Sequence, residues 1–194
     1  MRSLISLSAI VMLIPALLFL YCTEDNIDNG ESPTTPKDTL TLFVEAHNHH
    51  DHIDAYDKLE MTIAEGFTFY FDPKDVGKEV PGTGYIIPTS WERGEFLNAC
   101  RHMFNNVYSI ALNIPGIENM PDEYTGDEYI YDDCNISLLV MVSSNFGYLA
   151  NGPVDIHFRK GDDDKWRIWV IKDKTAAGIL TESASYGTIL AQFH

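Results

Sequence analysis

The sequence predicts an α+β fold in which N-terminal helices pack on a curved antiparallel sheet to form a cone-shaped roll. Three observations predict it. Two helical segments come first, an aromatic strand with period-two alternation follows them, and a run of strands with a hairpin turn comes last. Helices alone cannot fill a strongly bent sheet, so we expect a concave apolar pocket at the open end of the cone.

The first helix carries strong start signals. Thr35 stands at the N-cap position, Pro36 at the first helical position and Asp38 in the first turn. Its apolar face has helical spacing and consists of Leu40, Phe43, Val44 and His47.

A second short helix is predicted to begin at Asp51 and to end at Gly66, with an apolar face made by Ile53, Tyr56 and Leu59. The alternation in Phe67–Phe71 predicts a half-buried strand. Proline and glycine residues between positions 72 and 84 then indicate a loop or an irregular hairpin.

The third helix is predicted to have Ser90 as its N-cap and to end at Asn105 and Asn106, with an apolar stripe of Phe96, Leu97, Cys100, Met103 and Phe104. Four strand candidates follow: Val107–Ile114, Ile130–Val142, Val154–Lys160 and Trp166–Lys172. The segment 161–164 joins the last two as a hairpin, and Ser183–Phe193 is a candidate for a final strand.

Two of these strands, 138–142 and 166–172, are apolar on parts of both faces. A sheet of this kind needs a second cover. Either a homodimer forms through the sheet, or the C-terminal segment Ala176–Phe193 packs on it.

Three segments in this order, GFTFYFDP, SWERGEFLNACRHMF and KWRIWVIKD, resemble the nuclear transport factor 2-like (cystatin-like) superfamily, especially its SnoaL-like bacterial members. The resemblance covers about Pro36–Asp173 and implies the cone-shaped fold. In that superfamily, ketosteroid isomerase and SnoaL-type cyclases use pocket carboxylates as acid or base, and scytalone dehydratase uses His and Asp. None of these catalytic patterns maps onto this chain residue by residue, so only the fold is carried over.

Candidates to line the predicted pocket are Tyr56, Phe69, Phe71, Trp91, Phe96 and Met103, each of which also suits a plain core position. The candidates for catalysis are His157 and Asp155, which share one face of the strand 154–160. If that face looks into the cavity, His157 can act as a general base. If it looks to solvent, the two side chains belong to ordinary cross-strand charge pairs.

The segment His47–His52 reads HNHHDH and matches the letters of the H-x-H-x-D-H signature of metallo-β-lactamase-like hydrolases. That fold needs several strands before the motif, whereas about one helix precedes it here, so we favour a polar turn between two helices. A surface histidine cluster that binds zinc or copper adventitiously is the alternative. The acids 132–133 and 162–164 lack the spacing of a calcium loop and are interpreted as turn acids. No metal and no cofactor is predicted.

The chain has 29 acidic and 13 basic residues, which gives a net charge of −16. This surface repels phosphate backbones, so nucleic acid is excluded as a partner. Cys100 and Cys134 either form a disulfide or are buried thiols, and the sequence leaves both interpretations open.

The N-terminal region predicts export. Met1–Tyr21 has the pattern of a signal peptide. Cys22 at its end resembles the lipid-modified cysteine of bacterial lipoproteins, although the bulky Tyr21 before it leaves an uncleaved membrane anchor as the rival. The polar segment 22–35 is predicted to be a flexible linker, and 36–194 a single domain. Both alternatives anchor the domain to a membrane of the cell envelope, outside the cytoplasm.

Three functions follow from these expectations. The first is a tethered module that binds a small apolar or amphipathic molecule. The second is an enzyme of the isomerase, dehydratase or cyclase type that uses the His157 and Asp155 pair or a buried tyrosine. The third is a scaffold for protein association through the sheet.

Overall fold

The structure is a computed structural model, and it describes residues 33–175 and 184–194. The predicted signal peptide Met1–Tyr21, the predicted lipidation site Cys22 and most of the predicted linker lie outside the described residues. In the described part, no helix combines the length and the apolar character needed to cross a membrane.

Helix α1 spans Pro36–Asn48 and confirms the predicted start. The Thr35 hydroxyl accepts a hydrogen bond from the backbone N–H of Asp38 at 3.0 Å, which caps the first turn. Three residues of the predicted apolar face are buried in the core, and Val44 packs against them partly buried.

Helix α2 spans Ala55–Thr62 and begins later than predicted. Asp54 stands at its N-cap position in place of Asp51, and the preceding turns leave Ile53 fully exposed. Gly66 does not end this helix. Strand β1 already begins at Ile63, because Ile63 pairs with Ile168 in the sheet.

Strand β1 spans Ile63–Tyr70 and buries Phe67 and Phe69 on one face, as the alternation predicts. The predicted irregular excursion follows at 71–89, with a single bridge between Glu79 and Ile86. A short strand, β2 (Ser90–Glu92), then leads into helix α3.

Helix α3 spans Arg93–Asn106, and Glu92 rather than Ser90 caps it. The Glu92 side chain accepts from the N–H of Glu95, and the Glu95 carboxylate accepts from the N–H of Glu92 at 3.0 Å. Ser90 pairs with Tyr70 in the sheet, so it is not free to act as the cap. All five residues of the predicted apolar stripe are buried.

The remaining strands confirm the four candidates and lie at β3 (Ser109–Asn113), β4 (Glu128–Ser143), β5 (Phe146–Lys160) and β6 (Trp166–Asp173). A short 3₁₀ turn, Ile117–Asn119, lies between β3 and β4. Strand β5 begins earlier than predicted because its first half pairs with β4, for example Leu149 with Leu139.

The strand order is β2-β1-β6-β5-β4-β3. Every neighbouring pair is antiparallel except β1 and β6, which run parallel, so the expectation of an antiparallel sheet is corrected to a mixed sheet. No hairpin joins β1 to β6, so the connection between them does not force the two strands to run antiparallel. N-terminal helices on a curved six-stranded sheet confirm the predicted α+β class.

The predicted final strand at 183–193 is wrong, because the described part of this segment forms helix α4 (Tyr186–Ala191). The Ser185 hydroxyl accepts from the N–H of Thr188 at 3.0 Å and caps the helix. The Tyr186 ring lies edge-on to Phe69, with 5.5 Å between ring centroids. The burial of Tyr186, Ile189 and Leu190 accompanies the helical conformation of this segment.

Candidate functional site

Two open grooves lined by described residues have a volume of about 740 Å³ each. One lies between α2 and the β5–β6 hairpin and is lined mostly by charged side chains. The other has more apolar side chains and is called here the outer groove. It lies where β1 and β6 end and where the excursion 71–89 turns back. Strands β1, β5 and β6 and the residues just after β6 contribute Thr68, Tyr70, His157, Trp169, Val170, Lys172, Asp173 and Lys174, and the excursion contributes Phe71, Pro73, Val76 and Thr89.

The strand register explains why five of these side chains, Thr68, Tyr70, His157, Val170 and Lys172, share one face. Val170 is the cross-strand partner of both Thr68 and His157, and Lys172 is that of Tyr70. Cross-strand partners point to the same face of a sheet. The alternating residues Phe69, Ile156 and Ile171 are buried on the inner face, which the helices cover. The groove therefore lies on the outer face of the sheet.

Trp169 reaches the groove through a β-bulge. His157 pairs with Val170 and Phe158 pairs with Ile168, so Trp169 is the extra residue of β6. The Arg159 guanidinium covers the Trp169 ring, with 3.7 Å from its carbon to the ring centroid. Glu128 holds that guanidinium by hydrogen bonds of 2.7 and 3.1 Å. The indole ring is thus fixed from one side.

The basic groups of the groove differ in their surroundings. Burial lowers the pKa of His157, and the Lys172 ammonium lowers it further, against the opposing carboxylates of Asp132 and Asp155. The His157 ring is therefore neutral at pH 7. Hydrogen bonds to two carboxylates raise the pKa of Lys174. Lys172 makes no ion pair with any described residue, so its charge is available to a ligand.

Of the six residues predicted to line a pocket, Phe71 lines the outer groove. Four others are completely buried in the core beneath the sheet: Phe69, Trp91, Phe96 and Met103. Tyr56 is partly buried under the Arg101 guanidinium, which lies 4.1 Å from its ring centroid. Aromatic rings in mutual contact fill the space where the sequence predicts a pocket. The ring centroids of Phe71 and Trp91, for example, are 4.8 Å apart.

The two candidates for catalysis lie on the outer face, but their side chains differ in role. His157 lines the groove, and its ring lies edge-on to Trp169. Asp155 is buried, accepts a hydrogen bond from the N–H of Asp133 at 2.9 Å and forms an ion pair with Lys174. Asp155 therefore has a structural role in joining β5 to β4 and to the end of β6.

The histidine-rich segment forms the end of α1 and the turns that follow it, as the favoured interpretation predicts. His47 is completely buried, and its Nδ1 lies 2.8 Å from the carbonyl oxygen of Phe43. The His49 and His52 rings stack with 5.1 Å between centroids. Among the described residues, three side chains close enough together to hold one metal ion occur at Asp132, Asp155 and His157 and not in this segment.

The acids of the β5–β6 hairpin are turn acids, as predicted. The same prediction is wrong for Asp132 and Asp133, which lie within β4 at an irregularity of its pairing with β5. Asp163 binds the Arg167 guanidinium through two hydrogen bonds of 2.6 and 2.9 Å, and Asp164 pairs with Lys160. Cys100 and Cys134 are buried free thiols, so the disulfide interpretation is not supported.

Sequence reasoning missed most residues of the groove, including Tyr70, Val76 and Lys172. One usable signal was that strand 166–172 is apolar on parts of both faces. Trp169 is therefore an apolar residue on the face that would normally be polar and exposed to solvent. Nothing in the sequence shows that the excursion folds back over that face.

Comparison with known proteins supports the fold. No family model matches the chain, and no curated protein matches it. Among solved structures, a conserved protein from Planctomyces limnophilus DSM 3776 has a TM-score of 0.50 and 15% identity, and the match covers 69% of this chain and 88% of that one. The Kfla4162 protein from Kribbella flavida has a TM-score of 0.50 and 16% identity, over 80% of this chain and 93% of that one. At these identities the likeness is one of fold alone.

Proposed function

We propose that this domain is a binding module that takes a small amphipathic molecule with an anionic end in the outer groove. The observation that carries the proposal is the largely apolar lining of the outer groove, whose volume of about 740 Å³ also lies within the range of small-molecule sites. We also propose that Cys22 tethers the module to the cell envelope.

The wall of the groove suits an apolar chain or ring. Trp169, Val170 and Phe71 provide the apolar surface, with Pro73 and Val76 opposite on the excursion. The bulge and the Arg159 guanidinium hold the indole ring in place before a ligand arrives, so little side-chain entropy is lost on binding.

The polar end of the groove suits an anion. Lys172 carries an exposed ammonium without an ion-pair partner among the described residues, and the neutral His157 ring supplies a hydrogen-bond donor close by. A carboxylate or sulfonate placed there gains a charge-assisted hydrogen bond.

The test uses dodecanoate as the probe and dodecanol as its uncharged analogue, titrated by calorimetry against the full chain in detergent. We expect saturable binding of dodecanoate that is at least tenfold weaker in Trp169→Ala. Lys172→Gln should weaken dodecanoate several-fold and leave dodecanol unchanged. Tyr108→Ala, an exposed aromatic outside the groove, is the matched control. Binding that is absent, or equal in Trp169→Ala and Tyr108→Ala, rejects the proposal.

A second copy of the chain is the competing occupant of this face. Leu139 and Leu149 are cross-strand partners that each leave 37% of their surface exposed on the outer face, and Ile130, at the other end of β4, leaves 49% exposed. A homodimer through these strands would cover them. Light scattering on the wild type and on Leu139→Glu distinguishes the two: a dimer should become a monomer in the variant, with dodecanoate binding unchanged if the groove stays open.

A further inference from the structure

Three metal-binding side chains converge beside the outer groove. Asp132, Asp155 and His157 each offer one ligand atom, and these atoms all lie within 4.8 Å of one another. Carboxylate oxygens and imidazole nitrogens are the usual ligands of zinc and related divalent metals. This cluster is separate from the histidine-rich segment 47–52.

A second β-bulge brings the three together. Tyr131 pairs with Ile156 and Cys134 with Val154, so two residues of β4, Asp132 and Asp133, oppose the single residue Asp155. Asp133 takes a positive φ of 50°, which is uncommon outside glycine. Asp155 and His157 are two residues apart on β5 and therefore point to the same side. Bulges of this kind re-aim side chains at binding sites.

The local charge favours a cation, because three carboxylates and one ammonium group lie in this bulge. The carboxylates of Asp132, Asp133 and Asp155 meet within the bulge, and Lys174 pairs with Asp133 and Asp155. The contacts of Asp155 with Lys174 and with the N–H of Asp133 both use Oδ1, so Oδ2 keeps its lone pairs. The His157 ring makes no hydrogen bond to any described residue, so its nitrogen is free to ligate.

We propose that Asp132, Asp155 and His157 bind a divalent transition-metal ion, best suited to Zn²⁺, beside the outer groove. Three protein ligands leave a further coordination position, as in zinc sites that keep an open position. Because His157 also lines the groove, the ion would lie beside the space where a ligand anion binds. The exposed Asp132 can move toward the ion without disturbing the core. The inference goes beyond the proposed function, since metal binding needs no organic ligand.

The experiment titrates the metal-free full chain in detergent with ZnCl₂ by calorimetry. It also records the visible absorption after addition of CoCl₂, which reports the ligand set directly. We expect one tight site whose dissociation constant rises at least tenfold in Asp132→Asn and in His157→Ala, with loss of the cobalt absorption bands. Asp162→Asn changes an exposed acid of the β5–β6 hairpin and should keep wild-type binding.

The double variant His49→Ala/His52→Ala addresses the alternative site. If it abolishes the tight binding while Asp132→Asn retains it, zinc is bound adventitiously by the histidine-rich segment and the proposal is wrong. Zinc binding that is absent, or unchanged in Asp132→Asn, also rejects it. Dodecanoate binding in Asp132→Asn, and zinc binding in Trp169→Ala, should both persist, so failure of the metal site is distinguishable from failure of the groove.

Discussion

The Asp173 carboxylate accepts a hydrogen bond from the backbone N–H of Gly187 at 2.7 Å and thereby joins the end of β6 to the first turn of α4. Its other oxygen accepts from the N–H of Thr175 at 2.8 Å and from the Thr175 hydroxyl. That hydroxyl in turn accepts from the N–H of Tyr186 at 2.7 Å. Burial raises the pKa of Asp173, because removal from water disfavours its charged form. The hydrogen bonds from Thr175 and Gly187 act in the opposite direction and favour the carboxylate.

The first prediction concerns Asp173→Ala. The variant leaves buried N–H groups of Thr175 and Gly187 without their acceptor, so we expect a loss of about 2–4 kcal/mol in the free energy of unfolding. Urea denaturation measures it. Asp162→Ala, on the exposed hairpin, should change the free energy of unfolding by less than about 0.5 kcal/mol. Equal stability of the two variants would show that the network does not hold α4.

The second prediction concerns the close approach of α4 to the strand end. A Cβ at Gly187 would lie 2.5 Å from the Phe71 ring and 3.1 Å from the Asp173 carboxylate. Gly187→Ala should therefore destabilise the protein by about 1–3 kcal/mol. Gly94→Ala, in α3, meets no atom within 4 Å and should be neutral or stabilising by up to about 1 kcal/mol. Thermal unfolding compares the two, and a Gly187→Ala variant as stable as Gly94→Ala would contradict the packing.

The third prediction is a pH dependence that arises from His47. Complete burial lowers its pKa from 6.5 to about 4, so the folded protein binds the proton more weakly than the unfolded chain does. The stability that the neutral ring contributes is present above pH 6.5 and is lost as the pH falls toward 4. The loss at the lower end should reach about 3 kcal/mol.

Urea unfolding of His47→Leu from pH 7.5 to 4 provides the check. The difference in stability between the wild type and this variant should shrink or reverse with acidification, because leucine does not titrate. His52→Gln, which changes an exposed histidine, should follow the wild-type profile. Parallel profiles for the wild type and His47→Leu would refute the assignment.

The fourth prediction concerns the thiols. Burial raises the pKa of Cys100 well above its usual range and that of Cys134 to about 12, so neither forms the reactive thiolate at pH 8. Iodoacetamide should label neither residue in the native protein and both in denaturant without a reductant. Peptide mapping by mass spectrometry reads the outcome. A peptide pair linked through Cys100 and Cys134 would contradict the free thiols.

Local signals predicted the parts of the fold that depend on neighbouring residues. The Thr35 cap and the Phe67–Phe71 alternation each depend on a few consecutive side chains, and the structure confirms both. The start of α3 was displaced because Ser90 joins the sheet, which is a tertiary contact. The strand predicted at 183–193 failed for the same reason, since burial of α4 on α3 decides its conformation.

The candidate site depends on features with no local signal. Each of the two bulges inserts one residue, and a shift of one residue moves the following side chains to the opposite face. The sequence therefore identified His157 and Asp155 as partners on one face but not Asp132 or Trp169 beside them. The parallel register of β1 and β6 likewise depends on pairing across most of the chain.

That register also determines when the domain can assemble. On a ribosome, the strand at 63–70 emerges long before its partner at 166–173. One hydrogen-bonding edge of β1 therefore stays unpaired until β6 has been synthesised. Folding is expected to be slow and strongly non-local. Nascent chains that stop short of β6 would expose this edge and depend on chaperones to remain monomeric.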